Sequence, residues 1–237
     1  MKFSHHDRRA FRLGVRHGLG SPGVIMAASV LGFASLVQAS GWSVVQGMAA
    51  TAFIWGLPGQ IAMVELWSDG ASLAAIVLAT GAINARLLPL VVTLFPVIRR
   101  QDTSSWIYFA VAHLVAITTW AFTLRTAPEL EREERLPYLL GMGGIMFVTS
   151  ILITPVGFFL AQSVPATVSM GLVFLNPLYF LLLLLNDAHH PPRALALALG
   201  AVIGVSLHPW VGGWSLLIAG AVGGSVAYLA HQRWGFE

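Results

Sequence analysis

Long apolar runs separated by short polar segments make up most of this chain. Most of the runs are long enough to cross or enter a bilayer as helices, since a transmembrane helix needs about 20 mainly apolar residues. Others are too short or too interrupted for simple spans. The runs are residues 18–38, 42–67, 71–98, 106–124, 136–162, 166–185, 194–207 and 210–230. This pattern predicts an all-α polytopic membrane protein.

Composition supports the same class. The chain has 237 residues, of which 57% are hydrophobic and 10% are charged, and its mean hydropathy is +0.77. That leaves too little polar surface for a soluble domain. The net charge of +3 is an indication of membrane orientation rather than of nucleic-acid binding. With no cysteine, disulfides and cysteine-based metal sites are excluded.

The start of the chain is basic. Lys2, Arg8, Arg9, Arg12 and Arg16 precede the first apolar run, so the positive-inside rule predicts a cytoplasmic N-terminus. A cleaved signal peptide is the alternative, because Val37-Gln38-Ala39 resembles a cleavage site. The apolar region would then exceed the usual length of about 7–15 residues. We expect a basic cytoplasmic segment over 1–17 and one transmembrane domain over 18–230.

The run 42–67 is interrupted by Gly56-Leu57-Pro58-Gly59-Gln60. Proline cannot donate a backbone N–H, and glycine relaxes the chain around it. Backbone groups freed at membrane depth are tolerated only beside protein or a wet cavity, so the interruption indicates a cavity. Either this run is a re-entrant pair of half-helices entering from outside, which places Arg99-Arg100 in the cytoplasm, or it is a kinked full span.

The second half of the chain weakly repeats the first. An extra span over 106–124 separates the halves, which predicts the inverted-repeat plan of secondary transporters, although chance similarity of Gly and Ala is the alternative. We expect repeat 1 over about 18–98, repeat 2 over about 136–209 and a final helix over 210–230. The matching features are Gly32-Phe33, Gly47, Pro58 and 78–82 in the first half, and Gly157-Phe158, Gly171, Pro177 and 197–201 in the second.

This plan predicts a topology. Both chain ends and Arg99-Arg100 lie in the cytoplasm, whereas Asp69 and the loop around Glu131 lie outside. The charged run 125–135 is then a solvated extracytoplasmic loop. A second re-entrant run, 166–185, is broken at Pro177.

Arg86 is an unusual residue for its surroundings. Glu65, Asp69 and Arg86 are the only charged residues from 18 to 98. If 71–98 is one helix, Arg86 lies roughly 20 Å from the interface at about 1.5 Å per residue, inside a core about 30 Å thick. An arginine there costs at least about 2.5 kcal/mol and marks a substrate or ion site by default. The alternative is a structural pair with Glu65 or with backbone carbonyls.

Three segments together resemble the AzlC family of branched-chain amino-acid exporters. They are Ile54-Trp55-Gly56-Leu57-Pro58-Gly59-Gln60-Ile61-Ala62, Gly70-Ala71-Ser72 and Ile83-Asn84-Ala85-Arg86-Leu87-Leu88. The resemblance covers about residues 12–230. It implies a secondary transporter of the bacterial inner membrane that exports branched-chain or similar amino acids and works beside a small hydrophobic AzlD-like subunit.

This chain departs from the family pattern in two places. Leu87 stands where many relatives carry histidine, and Thr118-Thr119 replace an Asp-Glu pair. The proton-coupling groups of the family are therefore not carried over. The remaining coupling candidate is His113, for which a hydrogen-bonded position within the bundle is the alternative.

The candidate site suits an amino-acid zwitterion. Arginine can hold a carboxylate through a bidentate fork, and a half-helix N-terminus near Gly59 adds N–H donors. Amides and freed carbonyls would accept from the ammonium group. On a regular helix Asn84 and Arg86 point about 200° apart, so both face one pocket only if the helix is irregular. The predicted substrate-binding residues are Arg86, Asn84, Gln60, Gly59, Pro58, Trp55 and Asn176.

Other functions find less support. No HExxH, GxSxG or P-loop motif is present, so we expect no enzyme and no cofactor. Asp187, His189 and His190 are metal-ligand types, but Pro191-Pro192 place them in a surface loop, and no metal site is predicted. A membrane channel and a noncatalytic membrane assembly subunit remain the alternatives to an exporter.

Overall fold

The computed structural model describes residues 5–100, 103–163, 191–211 and 214–234, with a few single positions between 165 and 181. Within those ranges every regular element is a helix. Short 3₁₀ turns occupy Ala85–Leu87 and Ala127–Glu129. The α-helices are α1 His5–Gly18, α2 Ser21–Ala39, α3 Val44–Ile54, α4 Leu57–Ser68, α5 Leu73–Asn84, α6 Leu88–Ile98, α7 Ser105–His113, α8 Ile117–Thr126, α9 Arg135–Ser163, α10 Pro191–Val211 and α11 Trp214–Trp234.

Four stretches of the described chain are long and apolar enough to cross a membrane. They are Ser21–Ala39, Leu73–Ile98, Arg135–Ser163 and Ala194–Val211, and a fifth is counted if the bent pair α7–α8 is taken as one span. The all-α polytopic membrane class predicted above is therefore confirmed. The expected single helix over 71–98 is interrupted, because a 3₁₀ turn at Ala85–Leu87 separates α5 from α6.

From His5 onward the basic N-terminal segment forms α1, which packs along α9. Ala10, Gly14 and Gly18 recur every four residues on the buried face of α1. A Cβ atom on Gly14 would overlap the carbonyl of Tyr138, so the two backbones touch there. Small residues at this spacing allow helices to approach closely. Farther along, Gly157 of α9 faces Leu31 of α2, so α1 and α2 both run parallel to α9.

The pair α3–α4 enters and leaves on one side. Trp42 lies before α3 and Trp67 near the end of α4, yet their ring centroids are 6.0 Å apart. Along α3, Gly47 lies beside Thr154, whereas Trp55 at the tip packs on Phe147 with ring centroids 5.1 Å apart. The pair therefore descends antiparallel to α9, turns halfway along it and returns. This hairpin geometry favours the re-entrant alternative for 42–67 over a kinked full span.

The contacts around the pair α7–α8 favour a second re-entrant pair, on the opposite side from α3–α4. The two helices meet at a bend of 118°. Just before α7, the Arg100 guanidinium lies 2.9 Å from the Asp7 carboxylate and donates to the Glu133 carbonyl at 3.1 Å. Because residues 7, 100 and 133 meet, the chain between 100 and 133 returns to its starting side. These contacts favour a re-entrant pair over the predicted span across 106–124, and with it a position of Glu131 on the same side as Asp7.

This arrangement bears on the relation between the two halves. With the start of α9 on the same side as Asp7, α2 and α9 run in the same direction, and the inverted relation between the two repeats stays a prediction. In this arrangement α3–α4 and α7–α8 enter from opposite sides. The second re-entrant run proposed at 166–185, including Pro177, falls largely outside the described residues.

Candidate functional site

Three helix breaks meet at one cavity about halfway along α9. The breaks lie at the tip of α3–α4, at the 3₁₀ turn Ala85–Leu87 and at the tip of α7–α8. The cavity has a volume of about 60 Å³, enough for several water-sized groups. Its walls are Pro22, Ile25, Met26, Ser29, Val30, Thr51, Trp55, Gly56, Leu57, Pro58, Gln60, Arg86, Leu87, Ala116, Ile117, Thr118 and Ser150.

The first tip is shaped by a left-handed residue. Trp55 follows the last turn of α3 with φ 36° and ψ 54°, a conformation that costs a non-glycine residue roughly 1–2 kcal/mol. Gly56 is extended, and Pro58 sits in the first turn of α4, where its missing N–H costs nothing. The turn holds the Trp55 ring in the cavity wall, where the side chain is 5% exposed.

Three buried side chains of the cavity wall carry polar atoms that have no hydrogen-bond partner among the described residues. They are the indole N–H of Trp55, Oε1 of Gln60 and the hydroxyl of Ser150. Gln60 is 2% exposed and Ser150 1% exposed. A buried polar group left unsatisfied costs about 1–3 kcal/mol. The cavity wall therefore offers one donor, the Trp55 N–H, and two groups that can accept, Gln60 Oε1 and the Ser150 hydroxyl. These groups favour a polar ligand in the cavity.

The start of α4 adds backbone donors. The helix begins at Leu57, two residues before the predicted start near Gly59, and no side chain caps it. Helix N-termini leave their first N–H groups without intrahelical partners and carry a partial positive charge. Pro58 has no N–H, and the Gln60 N–H binds the Gly56 carbonyl at 3.0 Å. Of the remaining first-turn donors, that of Leu57 belongs to a residue of the cavity wall, whereas the predicted site residue Gly59 is not part of the wall.

Arg86 lies in the 3₁₀ turn and lines the cavity, while more than a third of the residue is exposed. The side chain therefore stands at the open edge of the cavity rather than deep within it. Among the ion pairs of the described residues there is none between Arg86 and Glu65. The proposed structural pair between these two residues is thus not formed.

Asn84 lies behind the first tip instead of in the cavity wall. A Cβ atom on Gly59 would lie 2.5 Å from Nδ2 and 2.6 Å from Oδ1 of Asn84, and one on Gly56 2.7 Å from the same Oδ1. The α5 helix ends at Asn84, so the expected irregularity occurs where the two side chains would otherwise point apart. Arg86 faces the cavity, and Asn84 supports the loop that forms it.

His113 joins the two tips. Its Nε2 lies 2.8 Å from the carbonyl of Ala52, and its ring packs edge-on against Phe147 at 5.4 Å. Because a carbonyl can only accept, the ring donates from Nε2. This contact agrees with the alternative that His113 is hydrogen-bonded within the bundle. A role of His113 in proton coupling stays a prediction.

The structure adds hydroxyl groups that the sequence pattern did not single out. Ser29 and Ser150 line the cavity, and Thr51 there bonds Thr154 at 3.1 Å. Each is a small hydroxyl residue within an apolar run, a signal too common to select these positions. Thr118, noted above only as a departure from the family pattern, is also in the wall. Asn176 lies outside the described residues.

A comparison with protein families matches more than half of the chain. A family model described as AzlC protein matches residues 22–164, which is 143 of the 237 residues. The matched range includes all three breaks and the whole cavity wall. No curated protein and no solved structure matches the chain.

Proposed function

Because this chain belongs to the AzlC family, a family of membrane transport, we propose that it is a secondary exporter of branched-chain or similar apolar amino acids. It acts across the cytoplasmic membrane of a bacterial cell and holds its substrate near mid-membrane. The observation that carries the proposal is the cavity where three helix breaks meet, with unpartnered polar groups in a mainly apolar wall. Such sites between broken helices are typical of secondary transporters.

The polar groups suit both ends of a zwitterion. Arg86, the indole N–H of Trp55 and the start of α4 are donors for a carboxylate. Oε1 of Gln60 and the hydroxyl of Ser150 are acceptors for an ammonium group. Desolvating both charges at once is favourable only if both find partners, which this arrangement supplies.

The remaining wall suits an aliphatic side chain. Ile25, Met26 and Val30 of α2 face Leu57 and Ile117 of the two tips across the cavity. A pocket of this kind favours a larger apolar side chain by about 0.8 kcal/mol for each buried methylene. Leucine, isoleucine and valine should accordingly bind more tightly than alanine.

A small hydrophobic AzlD-like subunit is proposed as the partner. Support comes from the face of α5–α6 that flanks Arg86, where Leu73, Val77, Leu78 and Leu88 are between 61% and 70% exposed. A partner on this face would also enclose the open edge of the cavity.

The decisive test is Arg86→Lys. Lysine keeps the charge but loses the bidentate fork, so we expect a normal level of protein in the membrane and efflux of branched-chain amino acids reduced at least about tenfold. Everted vesicles containing the chain with its partner, supplied with a panel of labelled amino acids with and without a pH gradient, provide the measurement. Arg125→Lys, an exposed arginine outside the cavity, is the matched control.

A second substitution, at Glu65, distinguishes a substrate-binding role of Arg86 from a structural one. If Arg86 serves the substrate, Glu65→Gln does not restore efflux to Arg86→Ala. Recovery of transport in that double variant would refute the binding role.

A further inference from the structure

A second cavity lies at the other end of α6, on the side of the membrane where the chain begins. It has a volume of about 950 Å³ and opens between α6, α7 and the loop before α9. Arg99, Arg100 and Arg132 line it together with Tyr108 and Phe109. This groove is separate from the substrate cavity, with which it shares no lining residue.

The arginines of the groove differ in what they already bind. Arg100 is committed to Asp7 and to the Glu133 carbonyl. Arg99 and Arg132 are exposed and make no hydrogen bond or ion pair with any described residue. The Tyr108 hydroxyl accepts from the Arg100 backbone N–H at 2.8 Å and donates to its carbonyl at 3.3 Å, so the end of α6 is held in place.

The inner flank of the groove is apolar and exposed. Val92 is 61% exposed and Phe109 71% exposed, and Trp106 at 80% stacks beside Phe109 with ring centroids 5.5 Å apart. Tryptophan is enriched at the level of lipid headgroups. Cationic groups at the membrane surface, continuous with apolar side chains facing the hydrocarbon, match a ligand with an anionic head and acyl tails.

We propose that this groove binds the headgroup of an anionic phospholipid at the cytoplasmic surface. Arg99 and Arg132 hold the phosphate, and the acyl chains follow Val92 and Phe109 into the bilayer. The positive-inside rule explains basic residues on this side but not two arginines gathered around a groove beside apolar side chains. Basic pockets between transmembrane helices on this side are known to accept anionic headgroups.

The test compares wild type with Arg99→Gln/Arg132→Gln and with Arg8→Gln/Arg9→Gln, which removes the same charge from the same side. Native mass spectrometry of the purified chain with phosphatidylglycerol and phosphatidylcholine of equal acyl length measures binding. We expect phosphatidylglycerol to be preferred and its affinity to fall at least about tenfold in the first variant only. Equal losses in both double variants, or a loss in neither, would overturn the proposal.

A second measurement leaves the arginines unchanged. The native chain has no cysteine, so Ser105→Cys at the groove gives a single labelling site. Maleimide labelling should be slower in phosphatidylglycerol nanodiscs than in phosphatidylcholine nanodiscs, and inorganic phosphate should not slow it. Equal labelling in both lipids would refute lipid binding, and protection by phosphate alone would assign the groove to a soluble anion.

Discussion

At the scale of single residues, the site depends on one close contact behind the cavity. Gly59 has no room for a Cβ, because the Asn84 amide fills that space. Gly81, on the same helix as Asn84, has no atom of another described element within 4 Å of its Cβ position. A glycine is therefore required at position 59 by a close contact and is not required by one at position 81, although nothing in the sequence distinguishes the two.

Gly59→Ala should destabilise the protein by about 1–3 kcal/mol, since the methyl group must displace the Asn84 amide. Gly81→Ala should be neutral or stabilising by up to about 1 kcal/mol, because alanine is the better helix former. Unfolding of the purified protein in sodium dodecyl sulfate measures both.

The pairing with Asn84 has its own check. In an Asn84→Ala background the space opens, and Gly59→Ala should then cost less than it does in wild type. If Gly59→Ala lowers the stability equally in both backgrounds, the contact with Asn84 is not the cause of the destabilisation.

At the scale of helices, the breaks were predictable to different degrees. The tip of α3–α4 follows from Pro58 and its flanking glycines. The tip of α7–α8 contains neither proline nor glycine, so a continuous span over 106–124 was the natural prediction, and only Thr118-Thr119 interrupt its apolar character. The packing of α1 on α9 was missed, although Ala10, Gly14 and Gly18 have the spacing for it.

At the tip of α7–α8, which contains no proline or glycine, hydrogen bonds of Thr119 stabilise the bend. Its hydroxyl accepts from the Ala116 N–H at 2.8 Å and lies 2.9 Å from the Leu114 carbonyl, to which it donates. The side chain is fully buried. Thr119→Val should cost about 1–3 kcal/mol, because the Ala116 N–H is left without a partner.

Thr119→Ser retains the hydroxyl and is the matched control, with a smaller loss from the missing methyl group. Thermal unfolding of the purified variants in detergent distinguishes them. Equal destabilisation by valine and serine would assign the effect to packing instead of to the hydrogen bonds.

At the scale of the whole molecule, contacts between distant residues distinguish topologies that hydropathy alone does not distinguish. Hydropathy predicts which segments are apolar, but a re-entrant pair and a full span have similar lengths and compositions. The contacts from Arg100 to Asp7 and to Glu133 favour the re-entrant pair for 105–126. The apolar class and the first break were accessible from sequence, whereas the meeting of three breaks depends on long-range packing.

Single cysteines at Asp69 and Glu131 test this topology, since the native chain has none. An impermeant maleimide applied to intact cells should label Asp69→Cys but not Glu131→Cys, which should react only after permeabilisation. Ser40→Cys is the control for outside exposure. Labelling of Glu131→Cys from outside would contradict the re-entrant assignment of α7–α8.

The depth of the break at Ala85–Leu87 bears on the energy source for transport. Arg86 lies 12 residues before Ile98, about 18 Å at 1.5 Å per residue, and so near the middle of a core about 30 Å thick. Moving one net charge through a full potential of 100 mV is worth about 2.3 kcal/mol. An amino-acid zwitterion carries no net charge, so its passage from this depth to either side does almost no electrical work. For the proposed export of an amino acid, membrane voltage alone therefore supplies no driving force, and a concentration gradient or an ion that moves with the substrate is needed.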